Sequence, residues 1–452
     1  DEWRRIARGE ARVVVGTRSA VFAPLQSPGL LILDEEQEHT YKSENAPRYH
    51  AREIALYRGA KAGALVLFGS ATPSIETMYL AKTGVYTLYT LKTRYNGRAL
   101  PAARLIDMKQ ELRAGNDLDL SRELEEGVRD AILDGKQSIL FLNRRGNSRF
   151  LVCMDCGDVP QCPRCSVHLT YHSAGRRLMC HYCGYSEPAH ARCAKCGGAM
   201  KAVGSGTQKV EQELKALFPD MAVLRMDADT VAASGGHEAM LRRFRDEQIP
   251  ILLGTQMVAK GLDFENVTLV GVLCADASLY IDNYRAPERT FSLLSQVVGR
   301  AGRGSKEGRA IIQTFTPENE VIRAAAAQDY DAFYESEIRM RRLRRYPPFA
   351  DLFSFTVTGA DESRVIRAAK ALRDALGYAV ERREELKPLS IEVLGPAGAS
   401  VVKVNNRYRY RVFLVGKGCP ALRRLVAEYL YAFYQHKENR GLDIFADCNA
   451  IQ

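Results

Sequence analysis

Eight of the eleven cysteines lie between positions 153 and 196, as four Cys-x-x-Cys pairs: Cys153/Cys156, Cys162/Cys165, Cys180/Cys183 and Cys193/Cys196. Each pair can supply two corners of a tetrahedron, so four pairs furnish two complete thiolate shells for zinc. The competing reading is a disulfide cluster. All-thiolate shells keep no open coordination position, which makes the metals structural rather than catalytic. Sequential pairing would close one site across only Gly157–Gln161. Nested pairing puts Cys162, Cys165, Cys180 and Cys183 on a hairpin whose base is tied by Cys153, Cys156, Cys193 and Cys196, and is the pairing expected. With both shells filled, His168, His172, His181 and His190 read as surface residues, and Cys274, Cys419 and Cys448 as packing residues.

A second set of candidates handles phosphate. The run Leu30–Leu33 ends in Asp34, Glu35 and Glu36. Adjacent acids at a strand end can hold Mg²⁺ through water and orient an attacking water, although acidic strand ends are also common solvated turns. Leu65–Phe68 runs into Gly69-Ser70-Ala71-Thr72-Pro73, for which a strand-turn-helix joint is a sufficient account. Gly254-Thr255-Gln256-Met257-Val258-Ala259-Lys260-Gly261 follows another apolar run, and Gln296-Val297-Val298-Gly299-Arg300-Ala301-Gly302-Arg303 follows a helical segment. Arg300 and Arg303, three apart, share a helix face and can reach polyphosphate oxygens. Between positions 41 and 52, Tyr41, Lys42, Arg48, Tyr49 and Arg52 offer stacking faces and phosphate partners for a single strand, or form an ordinary polar loop.

The elements that must position these residues alternate. Apolar runs at Val13–Val15, Leu30–Leu33, Leu65–Phe68, Ile139–Leu142, Ala222–Arg225, Ile251–Leu253, Leu269–Leu273 and Ile311–Thr314 are separated by helix-length segments such as Arg122–Leu133, Lys209–Leu217 and His237–Asp246. This is the pattern of parallel α/β sheets, which bind ligands at the carboxyl ends of their strands. The Cys-rich stretch 153–200 interrupts it as an insertion. After Thr316 an acidic-basic helical stretch leads to Arg339, Arg341, Arg342, Arg344 and Arg345, either a phosphate grip or a solvated helix face, and Tyr346-Pro347-Pro348-Phe349 marks a boundary. Beyond it, strand-like Leu352–Thr358, Val401–Val404 and Arg409–Val415 with helices near Glu362–Arg382 and Leu422–Tyr434 suggest a small α+β domain.

Bulk composition fits three or so globular domains: 452 residues, 46% hydrophobic, with a net charge of +10 that favours a polyanionic partner. No stretch approaches the ~18 apolar residues of a membrane span. A cytoplasmic location is expected, where reducing conditions keep thiols free for metal.

In order and content the DEE, SAT, GTQMVAKG and QVVGRAGR blocks resemble helicase motifs II, III, V and VI of superfamily 2. The cysteine insertion, Gly16-Thr17-Arg18-Ser19-Ala20-Val21-Phe22-Ala23-Pro24, Leu394-Gly395-Pro396-Ala397 and Arg407-Tyr408-Arg409-Tyr410 resemble the PriA family of replication-restart helicases over essentially the whole chain. That resemblance implies RecA-like lobes, the first incomplete, with a two-zinc insertion and a C-terminal α+β domain. The divisions expected are 1–100 (first lobe), 101–152 (start of the second), 153–200 (zinc insertion), 201–318 (rest of the second lobe) and 319–452 (a domain that contacts DNA and single-stranded DNA-binding protein). It also implies an ATP-dependent 3′-to-5′ DNA helicase that recognises stalled forks and begins primosome assembly with helicase-loader proteins.

Under the same resemblance Asp34 and Glu35 are the Mg²⁺ and water-activating carboxylates, and Arg300 and Arg303 sense the γ-phosphate. Gln37, Gly254, Lys260, Gly261, Asp263, Gln296 and Gly299 then belong to the nucleotide site, and Tyr41, Lys42, Arg48, Tyr49 and Arg52 to an aromatic-rich loop that couples DNA to it. Gln37 stands where family members commonly have His, which puts the His-specific role in doubt. Lys403, Arg407, Tyr408 and Arg409 are the basic-aromatic candidates of the C-terminal domain.

No Gly-x-x-x-x-Gly-Lys-[Ser/Thr] loop occurs in the 452 residues, and the chain opens at Asp1. The expectation is a chain that starts inside the first lobe, with the phosphate loop and further DNA-binding domains upstream, inactive by itself while its parent hydrolyses ATP. The alternative is a zinc-dependent DNA-binding scaffold without motor activity.

Overall fold

A computed structural model of the chain describes residues 1–91, 102–142, 150–165, 167–173, 175–204, 206–227, 230–231, 234–255, 264–300 and 308–449. It divides into two compact units. The first comprises Asp1–Tyr89, Arg345–Leu394 and Lys403–Gln452, and the second Thr90–Arg344 with Gly395–Val402.

In the first unit β1 (Leu30–Leu33) and β2 (Leu65–Phe68) pair in parallel, Leu30 opposite Leu65 and Ile32 opposite Leu67. Leu31, Leu33, Val66 and Phe68 pack with Ala51 and Ala55 of helix Ala51–Ala62. Successive side chains on a strand point to opposite faces, so Leu30, Ile32, Leu65 and Leu67 share the other face, where they are 45 to 66% exposed. Val13–Val15, expected as a strand, is irregular backbone. A valine run becomes a strand only where a neighbouring strand takes its hydrogen bonds, and none does so among the described residues.

The second unit is built on six parallel strands. β3 (Ala102–Asp107) and β4 (Gln137–Phe141) come first in sequence. The Cys-rich insertion follows, with β5 (Phe150–Cys153), β6 (Thr170–His172), β7 (Arg177–Met179), β8 (Ser186–Pro188) and β9 (Met200–Val203). Then come β10 (Val223–Met226), β11 (Ile251–Gly254), β12 (Val267–Val272) and β13 (Arg309–Thr314), and the sheet runs β10-β11-β4-β12-β13-β3. Every residue of β4 is buried. Leu124, Val128 and Ala131 of helix Arg122–Leu133, with Val210 and Leu214 of helix Thr207–Leu217, cover one face of the sheet over Leu140, Leu253 and Leu269. Each buried valine or leucine among them contributes roughly 1.5–3 kcal/mol. Within the insertion β5 pairs with β9, and β6-β7-β8 form an antiparallel meander.

Helices Glu320–Ala327 and Tyr330–Arg344 group with this unit, whose segment ends at Arg344. The reason is packing: the Phe333 ring stacks on Phe291 at 4.3 Å. Arg341, drawn from the arginine run, is 1% exposed and donates to Glu337 at 2.8 Å and to Glu288 at 2.8 Å. It is therefore a buried strut, neither a phosphate grip nor part of a solvated face.

The α+β domain completes the first unit. β14 (Asp351–Gly359), β15 (Glu392–Val404), β16 (Arg407–Gly416) and β17 (Asp443–Cys448) lie in the order β15-β16-β14-β17. Helices Glu362–Arg382 and Pro420–Gln435 bury Leu372, Leu376, Leu422 and Leu425 against Phe355, Val357, Val412 and Leu414. The sequence reading found every one of these elements except β17.

Candidate motor and metal sites

The acids stand where a parallel sheet presents its ligands, at the carboxyl end of β1. Asp34 and Glu35 are exposed and Glu36 is buried. Gly69 N–H donates to Leu33 O at 2.9 Å and Glu36 N–H to Gly69 O at 3.0 Å, so the acidic turn is stitched to the loop after β2. Gln37 makes the second link: its amide donates to Glu35 Oε2 at 2.7 Å, and its Oε1 accepts from the Ser70 hydroxyl at 2.5 Å. Gln37 thus joins the DEE turn to the SAT loop. Glu35 adopts a left-handed backbone, φ +48°, a conformation that costs a non-glycine residue energy and is most common at functional sites.

Sequence reasoning missed Glu36. Its carboxylate accepts from Ser74 N–H at 2.6 Å, Ser74 Oγ at 3.2 Å, Thr77 Oγ1 at 3.0 Å and Arg52 at 3.1 Å. A buried carboxylate with this many donors is a framework group, holding the start of helix Ile75–Lys82 to the acidic turn. The only signal in sequence was Ser74 and Thr77, three apart and so on one helix face. Ser74 caps that helix, its hydroxyl accepting from Thr77 N–H.

The loop assigned to DNA is largely engaged within its own unit. Tyr41 donates its hydroxyl to Asp34 O at 2.7 Å, and burial with the surrounding acids raises its pKa. Lys42 is 8% exposed and pairs with Asp447 of β17 at 2.5 Å. Arg48 lies 3.8 Å above the Phe445 ring, and Tyr49 packs edge-on to Phe22 at 4.7 Å. Arg52 also donates to Ser74 at 2.9 Å and Thr77 at 2.8 Å. Lys42 and Arg52 are therefore turned inward rather than toward a strand of DNA, because each has a carboxylate within reach.

On the second unit, Gly254 is buried at the end of β11, and Gln296 and Gly299 end helix Ala286–Val298 just before Arg300. Lys260, Gly261, Asp263 and Arg303 lie outside the described residues.

The cysteines nest. The sulfurs of Cys153, Cys156, Cys193 and Cys196 lie within 4.8 Å of one another, as do those of Cys162, Cys165, Cys180 and Cys183. Individual separations of 3.4 Å (Cys153–Cys196), 3.7 Å (Cys156–Cys193) and 3.6 Å (Cys162–Cys183) suit sulfurs about 2.3 Å from one tetrahedral zinc, which stand roughly 3.8 Å apart. All eight thiols are free, so the disulfide reading falls.

Each pair sits on the same turn. The first cysteine donates its N–H to the carbonyl five residues on: Cys153 to Asp158, Cys162 to Val167, Cys180 to Tyr185 and Cys193 to Gly198, at 2.8–2.9 Å. In three of the four turns a glycine with φ of +73° to +79° follows the second cysteine, a Cys-x-x-Cys-Gly signal that the spacing alone did not use. Backbone N–H groups point at sulfur at 3.4–3.5 Å, a favourable arrangement for thiolates.

The histidines depart from the surface reading. His190 is exposed, but His181 is 3% exposed and His172 is half-buried. His168 packs edge-on to Tyr280 at 4.6 Å, and burial pushes its pKa down to about 4, so it is neutral at physiological pH. The cause lies in the meander, which rests on the lobe instead of projecting from it.

Residues 162–188 match the family model of the PriA DNA helicase Cys-rich region, 202–305 that of the helicase conserved C-terminal domain, and 342–449 that of the primosomal protein N C-terminal domain. The replication restart protein PriA of Bacillus subtilis (strain 168) is 44% identical over 450 residues, 99% of this chain and 55% of that protein. The same protein of Treponema pallidum (strain Nichols) is 39% identical over 433 residues, 96% of this chain and 64% of that protein. The chain spans somewhat more than half the length of these curated relatives. Among solved structures, S. cerevisiae Dbp5 bound to RNA and ADP BeF3 covers 74% of this chain and 70% of its own at 13% identity and a TM-score of 0.36, too loose a likeness to bear on function. With nested four-cysteine sites inside a parallel-sheet lobe and relatives this similar along nearly its whole length, the chain belongs to the PriA family of replication restart proteins.

Proposed function

We propose that this chain is the zinc-bearing part of an ATP-dependent 3′-to-5′ DNA helicase that binds stalled forks and single strands and initiates primosome assembly with loader proteins and single-stranded DNA-binding protein, in the cytoplasm. The observation that carries the reading is the Glu35–Gln37–Ser70 chain of hydrogen bonds, which joins exposed acids to the neighbouring loop on a strand end. Bound ATP with Mg²⁺ would supply the transferable phosphoryl group and its counter-charge. Asp34 would take the metal through water and Glu35 would orient water. Gln37, Gly254, Lys260, Gly261, Asp263, Gln296 and Gly299 would line the nucleotide, and Arg300 and Arg303 would meet the charge that builds on the phosphates. Two structural zinc ions fit the two four-cysteine sets. Among the described residues no helix is long and apolar enough to cross a membrane.

For DNA, Tyr41, Arg48 and Tyr49 stay in the proposal as stacking and phosphate groups, with Lys42 and Arg52 holding the loop that presents them. By itself this part hydrolyses no ATP, because its 452 residues hold no phosphate-cradling Gly-x-x-x-x-Gly-Lys-[Ser/Thr] loop. Two measurements test the reading: anisotropy of a labelled fork and of oligo-dT at two salt concentrations, and DNA-stimulated phosphate release by the 452-residue chain. Salt-sensitive binding with background hydrolysis is expected. Absence of DNA binding would sink the DNA role, and robust turnover would overturn the assignment of this part as inactive alone.

A further inference from the structure

The two four-cysteine sites differ in what their turns touch. In the outer site Cys156 and Cys196 are exposed; a Cβ placed at Gly197 would meet nothing within 4 Å, and the Cys153–Gly157 turn faces Lys109, Arg113, Thr316 and Glu318 rather than Asp282–Tyr284 or Pro396–Gly398. In the inner site the turn Cys180-His181-Tyr182-Cys183-Gly184 is packed on two other segments of the second unit. His181 Nδ1 lies 2.8 Å from Gly398 O, which fixes that nitrogen as the donor. The backbone N–H of His181 donates to Asp282 Oδ2 at 3.1 Å, and Tyr284 N–H approaches the Tyr182 hydroxyl at 3.5 Å. Gly184, at φ +79°, comes so close to the strand that a Cβ there would stand 2.9 Å from Pro396 O. His181 and Tyr182 are 3% and 8% exposed.

The gripped segments are distinctive. Pro396–Gly398 belongs to the stretch Gly395–Val402, which groups with the second unit although the rest of the C-terminal α+β domain groups with the first. Asp282–Tyr284 leads directly into helix Ala286–Val298, whose end carries Gln296, Gly299 and Arg300. We propose that the inner zinc site is a clamp: metal in Cys162, Cys165, Cys180 and Cys183 shapes the turn that holds Pro396–Gly398 and Asp282–Tyr284, with His181 and Gly184 as its positioning residues.

The physical reason is that His181 and Tyr182 lie between two ligands of one ion. Four sulfurs within 4.8 Å have no mutual attraction as thiolates, so the turn keeps its shape only while a cation holds them. Loss of the ion releases one buried hydrogen bond to each gripped segment. The inner site thereby bears on the placement of the arginine-bearing helix as well as on its own fold. The outer site, which grips neither segment, does not. This rests on the two-zinc reading, and metal content checks that reading separately.

The test is amide hydrogen exchange on the full 452-residue chain, with zinc content measured on every sample. His181→Ala and Gly184→Ala should retain two zinc ions yet exchange roughly tenfold faster over 395–402, the factor a lost buried hydrogen bond carries, whereas 281–285, held by the His181 backbone N–H, should respond only to loss of the metal. His181→Asn, whose side-chain amide can still donate to Gly398 O, should restore most of the protection. Cys180→Ser should reproduce the effect, and Cys153→Ser should not. If Cys180→Ser fails to fold, the two zinc-retaining variants decide. Unchanged exchange over 395–402 in His181→Ala and Gly184→Ala, or acceleration spread equally to helix Glu362–Arg382, would overturn the clamp. Fewer than two zinc ions in the parent chain would instead count against the metal reading.

Discussion

β1 reads Leu-Leu-Ile-Leu and β4 reads Gln-Ser-Ile-Leu-Phe, yet the more apolar strand is the more exposed one. β4 sits at the centre of a six-stranded sheet, with β11 on one side and β12 on the other, and all five of its residues are buried. Among the described residues β1 has one partner strand, and its Leu30 and Ile32 are 52% and 59% exposed. Parallel strands are apolar on both faces because they are ordinarily covered on both. Burial is thus conferred by what covers a strand, and the described residues cover only one face of β1 and β2. The polar residues of β4 make the same point from the other direction. Gln137 is buried because its amide donates to Phe244 O at 2.9 Å and Ile249 O at 2.8 Å.

The comparison can be broken most forcefully through the metal. Structural zinc is worth roughly 10–16 kcal/mol in finger peptides, so chelation should abolish exchange protection across β5–β9. The α+β core around Phe355 and Leu414 should keep its protection. Equal loss in both units would show that they do not differ in metal dependence.

Next in size is the buried carboxylate that ties the acidic turn of the first unit to helix Ile75–Lys82. Glu36→Ala would leave Arg52 without its carboxylate in a largely buried setting, an expected loss of about 3–5 kcal/mol in urea unfolding. A change below ~1 kcal/mol would mean that water replaces the carboxylate and that the acidic turn is not locked.

Leu140→Ala removes a fully buried side chain from β4 and should cost about 2–5 kcal/mol. Leu65→Ala on the bare face of β2 should fall within about 0.5 kcal/mol. The two substitutions form one measurement, and similar losses would erase the contrast between the sheets. The smallest effect sharpens it: Leu65→Lys with Leu67→Lys should leave unfolding nearly unchanged while reducing concentration-dependent association in sedimentation, because the apolar patch is what promotes it. Unaltered association would place the sticky surface elsewhere.

Much of the site was legible. The spacing of eight cysteines carried the two thiolate shells, since ligand geometry is local to each Cys-x-x-Cys turn, and the short Gly157–Gln161 span favoured the nested pairing that the sulfurs adopt. The exposed placement of Asp34 and Glu35 at the end of β1 was legible because an acid directly after an apolar strand emerges at a sheet edge. Glu36 was not found, because its role depends on Ser74, Thr77 and Arg52, which are distant in sequence and meet only when β1 and β2 pair. Arg341 was misread for a related reason: a run of arginines looks solvated until Glu288, some fifty positions earlier, is brought against it. Lys42 and β17 failed together, since the lysine's partner Asp447 lies on the strand that was missed.

By itself the sequence determined most element types, the two thiolate shells and the family, because these depend on periodicity and short-range spacing that any compact form must respect. The tertiary structure alone decided which charges are framework and which face solvent, which apolar faces are covered, and which segments each zinc turn packs on. Those outcomes depend on contacts between residues far apart in the chain, where one missing or added neighbour reverses the balance between desolvation and pairing.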